Sequence, residues 1–266
     1  MIPISQHEIP HVLLNKLGVI NKIAFPRQGY TSDVGIIDSA KGTVVLKRTK
    51  GKPYSEWLRR ESYILECLAQ THLRVPQVYQ FMQHEDDNDD IQSWLLMECL
   101  RGETLRSVLT YENDSAARYK IIYDFGRCLR ELHSTPCPEG LKQSGLWLDY
   151  MLKQAEYNLE HYEVDGNPAL LEKINTQKPK DIGQTLIHGD FTIDNVLVHE
   201  GRISGVIDWS GGAYGDPRYD VSLAIRPKPN IFQSVKDRSA FHEGYGAKVI
   251  SSEEYDYYVE GLNAFF

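Results

Sequence analysis

Apolar residues recur along this chain with two distinct periods. Near the N-terminus a glycine-containing turn at Gly29 precedes GIID, the turn SAKG follows, and TVVLKR then places Val44, Val45 and Leu46 in a short apolar run. This predicts a β-hairpin. From Glu56 to about Gln70 the spacing changes to that of a helix, with Trp57, Glu61, Ile64, Leu65 and Leu68 on one predicted core-facing stripe. VPQVYQF and SWLLMEC read as two further strands, joined by HEDDNDDIQ, whose acidic run predicts a solvated turn rather than a metal loop. Beyond RGETL the pattern becomes mainly helical. Ile121, Phe125, Leu129 and Leu132 recur at helical intervals, and SGLWLDYMLKQAEYNLEHY predicts a long helix broken at its start by glycine. After Ile182 short strands return in TLIHGD, NVLVHEG and ISGVIDW, before helices resume at PRYDVSLAI and near the C-terminus. The change of texture between Leu100 and Thr104 predicts an N-terminal lobe over 1–100 and a C-terminal lobe over 101–266, an α+β arrangement with a cleft. No internal repeat emerges.

Length and charge narrow the functional classes. A chain of 266 residues can bury roughly 70–75% of its unfolded surface, enough for an enclosed cleft. The formal net charge of -8 argues against a sequence-independent nucleic-acid binder, which needs concentrated positive charge. No apolar run approaches the roughly 20 residues of a membrane span, and MIPISQHEIP lacks the plan of a secretory signal. The expectation is a cytoplasmic protein with no membrane partner, monomeric or weakly dimeric. Cys67, Cys99, Cys128 and Cys137 are widely separated without a CxxC pair, so neither a disulfide framework nor a zinc site is expected.

The densest polar signal is LIHGDFTIDNVLVHEGRISGVIDWSGGAYGDPRYD. Asp190 and Asn195 lie in a polar break between two apolar runs, and Asp208 follows a third. Each alone is an ordinary turn residue. Together they offer a neutral amide oxygen and an anionic carboxylate, donors that suit a magnesium ion also bound to phosphate oxygens. Asp190 would remain to orient a hydroxyl and accept its proton.

The full pattern, His188-Gly189-Asp190, four residues, Asn195, then IDW at Ile207 to Trp209 and GDPRYD from Gly215, resembles the aminoglycoside phosphotransferase and choline kinase group of protein-kinase-like enzymes. The likeness runs from about Gly29 to the C-terminus. It implies a bilobal protein-kinase-like fold, with a smaller strand-rich nucleotide-binding lobe and a larger helical lobe that binds the acceptor. It implies that Asp190 is the catalytic base, that Asn195 and Asp208 bind Mg2+, and that ATP or GTP is the phosphoryl donor. Lys47 in VVLKR would meet the α and β phosphates, held by Glu61 of RRES, although a strand-edge lysine and a helix glutamate are more often merely solvated. Ser32 in RQGYTSDV resembles a short phosphate-covering loop, and Glu98 and Leu100 resemble the segment whose backbone meets adenine. His188, Asp216 and Asp220 resemble residues that shape or tie the catalytic loop.

The acceptor implied by the resemblance is a small-molecule hydroxyl. Acidic residues at Glu160, Glu163, Asp165, Glu243, Asp256 and Glu260, with interleaved aromatic rings such as Tyr157, favour a polycationic aminoglycoside-like antibiotic. The C-terminal YYVEGLNAFF lacks a dense acidic pair before its final aromatics, which weakens that assignment. Tyr258 and Phe265 are either pocket walls or core aromatics. The alternatives are a kinase of another metabolite or a macrolide, and a nucleotide-binding module without phosphoryl transfer.

Overall fold

The computed structural model describes residues 3–26, 31–85 and 91–266. The turn expected at Gly29 and the acidic run at 86–90 lie outside the described residues. Two compact units emerge, Met1–Arg101 with Gly205–Ser210, and Gly102–Ser204 with Gly211–Phe266.

The first unit begins with α1 (His11–Leu17) and a short strand β1 (Ile20–Ala24), neither of which the apolar periodicity singles out. β2 (Asp33–Ser39) and β3 (Gly42–Lys50) form the expected hairpin in the register Val34↔Lys47 and Ile36↔Val45. α2 (Lys52–Leu68) starts after Gly51 with Pro53 in its first turn, where a missing N–H is harmless. β4 (Val78–Glu85) and β5 (Ile91–Glu98) complete an antiparallel sheet of order β1-β2-β3-β5-β4.

Both faces of this sheet are covered, which explains the unbroken apolar run of β5. On one face Leu46, Trp94 and Leu96 pack with Ile4, Ile9, Leu13 and Leu17 of the N-terminal segment. Arg48 shares that face, fully buried. It donates to Glu8 and Asp33, each at 2.8 Å, while its guanidinium lies over the Trp94 ring. α2 packs against β3, β4 and β5. Leu58, Ile64, Leu65 and Leu68 are buried as the helical period requires, but Trp57 is 49% exposed and does not belong to the core.

The second unit begins with β6 (Glu103–Thr104) and α3 (Leu105–Tyr111), followed by α4 (Ser115–Ser134), whose first turn is capped by the Asp114 carboxylate. α5 (Trp147–His161) starts two residues after Gly145, at the expected break, and α6 (Pro168–Thr176) is capped by Asn167. β7 (Thr185–Ile187) leads into the polar loop, and β8 (Val196–His199) leaves it. Along β9 (Arg202–Val206) the chain passes back to the first unit. β10 (Ala213–Gly215) pairs antiparallel with β7 and runs into α7 (Pro217–Ala224). α8 (Val235–Tyr245) packs along α4, and α9 (Ser252–Asp256) continues into π-helical and 3-10 turns. Tyr258 and Phe265 are fully buried in those turns, so they belong to the core of this unit and not to a pocket wall. No helix among the described residues is long and apolar enough to cross a membrane.

Candidate functional site

In the first unit four of the expected residues converge. Lys47 points from β3 toward α2, and its Nζ donates to both Glu61 carboxylate oxygens, at 2.6 and 2.8 Å. It also donates to Asp208 Oδ1 at 3.3 Å. Burial on its own lowers the affinity of the ammonium for its proton, but the carboxylates of Asp208 and Glu61 outweigh burial and hold Lys47 above the usual lysine range. Lys47 and Glu61 therefore form a buried ion pair rather than two solvated residues. Asp208 adopts a left-handed backbone (φ 65°), uncommon for a residue with a Cβ, and its side chain is half exposed. Trp209 closes the turn behind it by donating from Nε1 to the Val206 carbonyl at 3.0 Å. Ser32, Glu61 and Asp208 line one small pocket, with Trp57 and Ser210.

Glu98 and Leu100 do not line that pocket; Glu98 ends β5 and Leu100 follows two residues later. The Glu98 carboxylate is held by Arg74, which keeps it below the usual carboxylate range against the opposing effect of burial, and its N–H donates to the Gln77 carbonyl at 2.8 Å. The Leu100 side chain is buried. Neither side chain is therefore available for chemistry.

In the second unit the loop between β7 and β8 is built around Asp190 and Asn195. The Asn195 amide Nδ2 donates to the Asp190 carbonyl at 2.9 Å and to its Oδ2 at 2.7 Å. Because a carboxylate only accepts, the amide nitrogen must face it, and the amide oxygen Oδ1 is turned away from Asp190. The Asp190 N–H donates to His188 Nδ1 at 3.2 Å, which places the proton of a neutral His188 on Nε2. His188 is fully buried, so it shapes the loop. Asp220, fully buried near the start of α7, accepts the N–H groups of His188 and Gly189 at 2.6 and 2.8 Å, and His133 of α4 approaches the same carboxylate. Gly189 (φ 81°) passes so close to the Gly211 carbonyl that a Cβ would sit 2.3 Å from its oxygen. Asp216 caps α7, accepts from Arg218, and receives the Tyr258 hydroxyl at 2.7 Å.

Sequence reasoning missed two braces of this loop. Arg106 of α3 forms a two-pronged ion pair with Asp194, 88 residues away, and Phe191 stacks on Phe125 with ring centres 4.9 Å apart. Neither partner is marked by local pattern, because only the tertiary fold brings them together. Among the described residues no cluster of three His, Cys, Asp or Glu side chains is poised to hold a metal. In the first unit Asp208 offers a half-exposed carboxylate, and in the second Asn195 offers an amide oxygen; each is a hard oxygen donor of the kind that suits magnesium rather than zinc.

Comparison with known proteins agrees with these features. The sequence model of the family described as phosphotransferase enzyme family matches residues 22–256. An aminoglycoside 3'-phosphotransferase of Niallia circulans is 26% identical over 98% of this chain and 99% of its own. Acyl-CoA dehydrogenase family member 10 of Mus musculus is 27% identical over 68% of this chain, which corresponds to 18% of that protein. Among solved structures, the gentamicin–APH(2")-IIa complex superposes with a TM-score of 0.67 at 19% identity, covering 92% of this chain and 82% of the other, a likeness of fold. The α+β fold is thus that of the protein-kinase-like phosphotransferases, and this chain belongs to the phosphotransferase enzyme family.

Proposed function

We propose that this protein is a magnesium-dependent kinase that transfers the γ-phosphate of ATP or GTP to a hydroxyl of a small molecule, in the cytoplasm, as a monomer or weak dimer. The observation that carries this reading is Lys47, a buried ammonium fixed between Glu61 and Asp208, two residues that line a pocket with Ser32. A cation held this way offsets phosphate charge without reorganising. The lobes implied by the function are 1–100 for nucleotide and 101–266 for acceptor.

In this reading Ser32 and its loop cover the phosphates, and the backbone at Glu98 and Leu100 meets the base. Asp208 and Asn195 would hold Mg2+, which when bound supplies positive charge to the donor phosphates. Asp190, oriented by Asn195 and by the Asp220-anchored loop, accepts the proton of the acceptor hydroxyl. The hydroxyl oxygen forms its bond to the γ-phosphorus as the bond from that phosphorus to the β–γ bridging oxygen breaks, and ADP or GDP departs. No covalent enzyme intermediate is needed.

For the acceptor, the names of the bacterial relatives and the acidic stretch around Glu160, Glu163 and Asp165 favour a polycationic aminoglycoside, and with it a role in antibiotic resistance. A second reading, a kinase of another metabolite, is favoured by the burial of Tyr258 and Phe265 and by the match to a protein named as an acyl-CoA dehydrogenase family member. Incubating the protein with γ-labelled ATP or GTP and aminoglycosides, macrolides, choline and sugar alcohols tests both readings. Label should pass to one acceptor class, and Asp190→Asn should reduce transfer by about 10²–10⁴-fold with nucleotide binding retained. Tight nucleotide binding with neither transfer nor slow hydrolysis would instead establish a binding module.

A further inference from the structure

We infer that Arg60 is a positioning residue that fixes the turn carrying Asp208, acting through the carbonyl of Ser210; this rests on the proposed role of Asp208 as a metal ligand. The turn needs holding. A non-glycine residue in the left-handed region is strained and persists only where its surroundings over-determine it. α2 supplies two of the restraints from consecutive residues. Glu61 accepts the Trp209 N–H, and Arg60 donates from Nε to the Ser210 carbonyl at 2.9 Å. Trp209, buried, adds a third by bonding Val206 on the other side of Asp208.

These three bonds bracket Asp208 and leave its own carboxylate half exposed on the pocket shared with Ser32 and Glu61. The backbone is held and the side chain is presented. Glu61 is already committed to Lys47, so Arg60 is the α2 side chain whose bond to this segment can be removed without opening the buried ion pair. Its guanidinium is a charged donor, and such a bond holds a carbonyl more firmly than a neutral one. Without it Ser210 loses this donor, and the Asp208 carboxylate loses part of its preorganisation.

The test is Mn2+ binding in the presence of ADP, read by water-proton relaxation enhancement, together with thermal unfolding. Arg60→Met, which keeps the aliphatic stem and removes the donor, should weaken Mn2+ binding about tenfold, in line with the net worth of a hydrogen bond from a charged group. Its unfolding midpoint should fall by a few degrees at most, as the loss of one such bond allows, with the protein fully folded at the assay temperature. Arg60→Lys, which keeps one donor, should recover most of the affinity. Wild-type affinity in Arg60→Met, equal weakness in Arg60→Lys, or a loss of affinity that is accounted for by unfolding at the assay temperature would each overturn the inference. Asp208→Asn separates this from the underlying reading: unchanged Mn2+ binding in that variant would refute Asp208 as a ligand, whereas weakened binding there with normal binding in Arg60→Met would refute Arg60 alone.

Discussion

The amide of Asn195 grips Asp190 twice, at the backbone carbonyl and at the carboxylate, so one side chain fixes both the loop and the group it presents. Asn195→Ala removes both bonds and the amide oxygen together. If Asp190 is the base, its carboxylate is then free to turn away from the acceptor, and misplacement by about 1 Å costs on the order of 10²-fold in rate. We expect kcat to fall by at least this factor while the Asp220 anchor keeps the unit folded. Steady-state kinetics with circular dichroism checks it, and near-normal kcat would show that the grip is dispensable.

A buried ion pair predicts a separation of folding from activity. Lys47→Ala leaves Glu61 buried without its cation, and breaking such a pair from one side costs about 3–5 kcal/mol. Replacing both, as in Lys47→Met with Glu61→Gln, removes the uncompensated charge, leaves an amide oxygen to accept the Trp209 N–H and should recover most of the thermal stability. Phosphoryl transfer should stay lost in both variants. Differential scanning calorimetry and a transfer assay read the two effects, and a double variant no more stable than Lys47→Ala would contradict this account.

The parts of the site legible in the sequence are those set by short spacing. Asp190 and Asn195 are five residues apart on one loop, and the short apolar run of TVVLKR is enough to place Lys47 in a strand followed by the helix that bears Glu61. Partners chosen by tertiary packing carry no such mark. Arg106 is distinguishable from other surface arginines only by Asp194 across the fold, and Arg60 only by the carbonyl of Ser210. Trp57 illustrates the converse error. It obeys the helical period of Ile64 and Leu68 but stays exposed, lining the pocket with Ser32 and Asp208 while Ser55 and Leu58 beside it are buried. The N-terminal helix escaped notice for a similar reason: Leu13 and Leu17 show one helical repeat, too short to signal a face, and the core residues Ile4 and Ile9 precede the helix.

Close packing of α4 on α8 depends on two glycines. A Cβ at Gly126 would lie 2.0 Å from the Phe241 carbonyl, and one at Gly244 would lie 1.9 Å from the Tyr123 carbonyl. Alanine at Gly126 improves helix propensity by about 1 kcal/mol. Backbone atoms cannot rotate aside, however, so the helices must separate, and overpacking of even mobile side chains costs about 1–3 kcal/mol. Packing wins, and Gly126→Ala should lower the unfolding midpoint. A midpoint at or above the wild-type value would show that the crossing is looser than described.

The same helix pair carries a pH-dependent strut. Arg118 of α4 donates to both carboxylate oxygens of Asp237 in α8, at 3.1 and 3.0 Å, and Asp237 also completes a capping box with Ser234. Burial alone would raise the Asp237 carboxyl, but the bonds from Arg118 and Ser234 outweigh it and hold the group below the usual aspartate range. A carboxyl whose folded pKa lies below its unfolded one stabilises the fold fully above the unfolded value, near 4, and loses that contribution as pH falls through the folded value. Asp237→Asn should therefore cost about 1.5–3 kcal/mol at pH 7, the worth of a hydrogen bond to a charged group. The gap in unfolding midpoint between wild type and variant should narrow below about pH 4, because acid then removes from the wild type what the substitution has already removed. Thermal melts from pH 3 to pH 8 measure it; a gap that holds constant or widens toward acid would show that the Asp237 charge is not what joins the two helices.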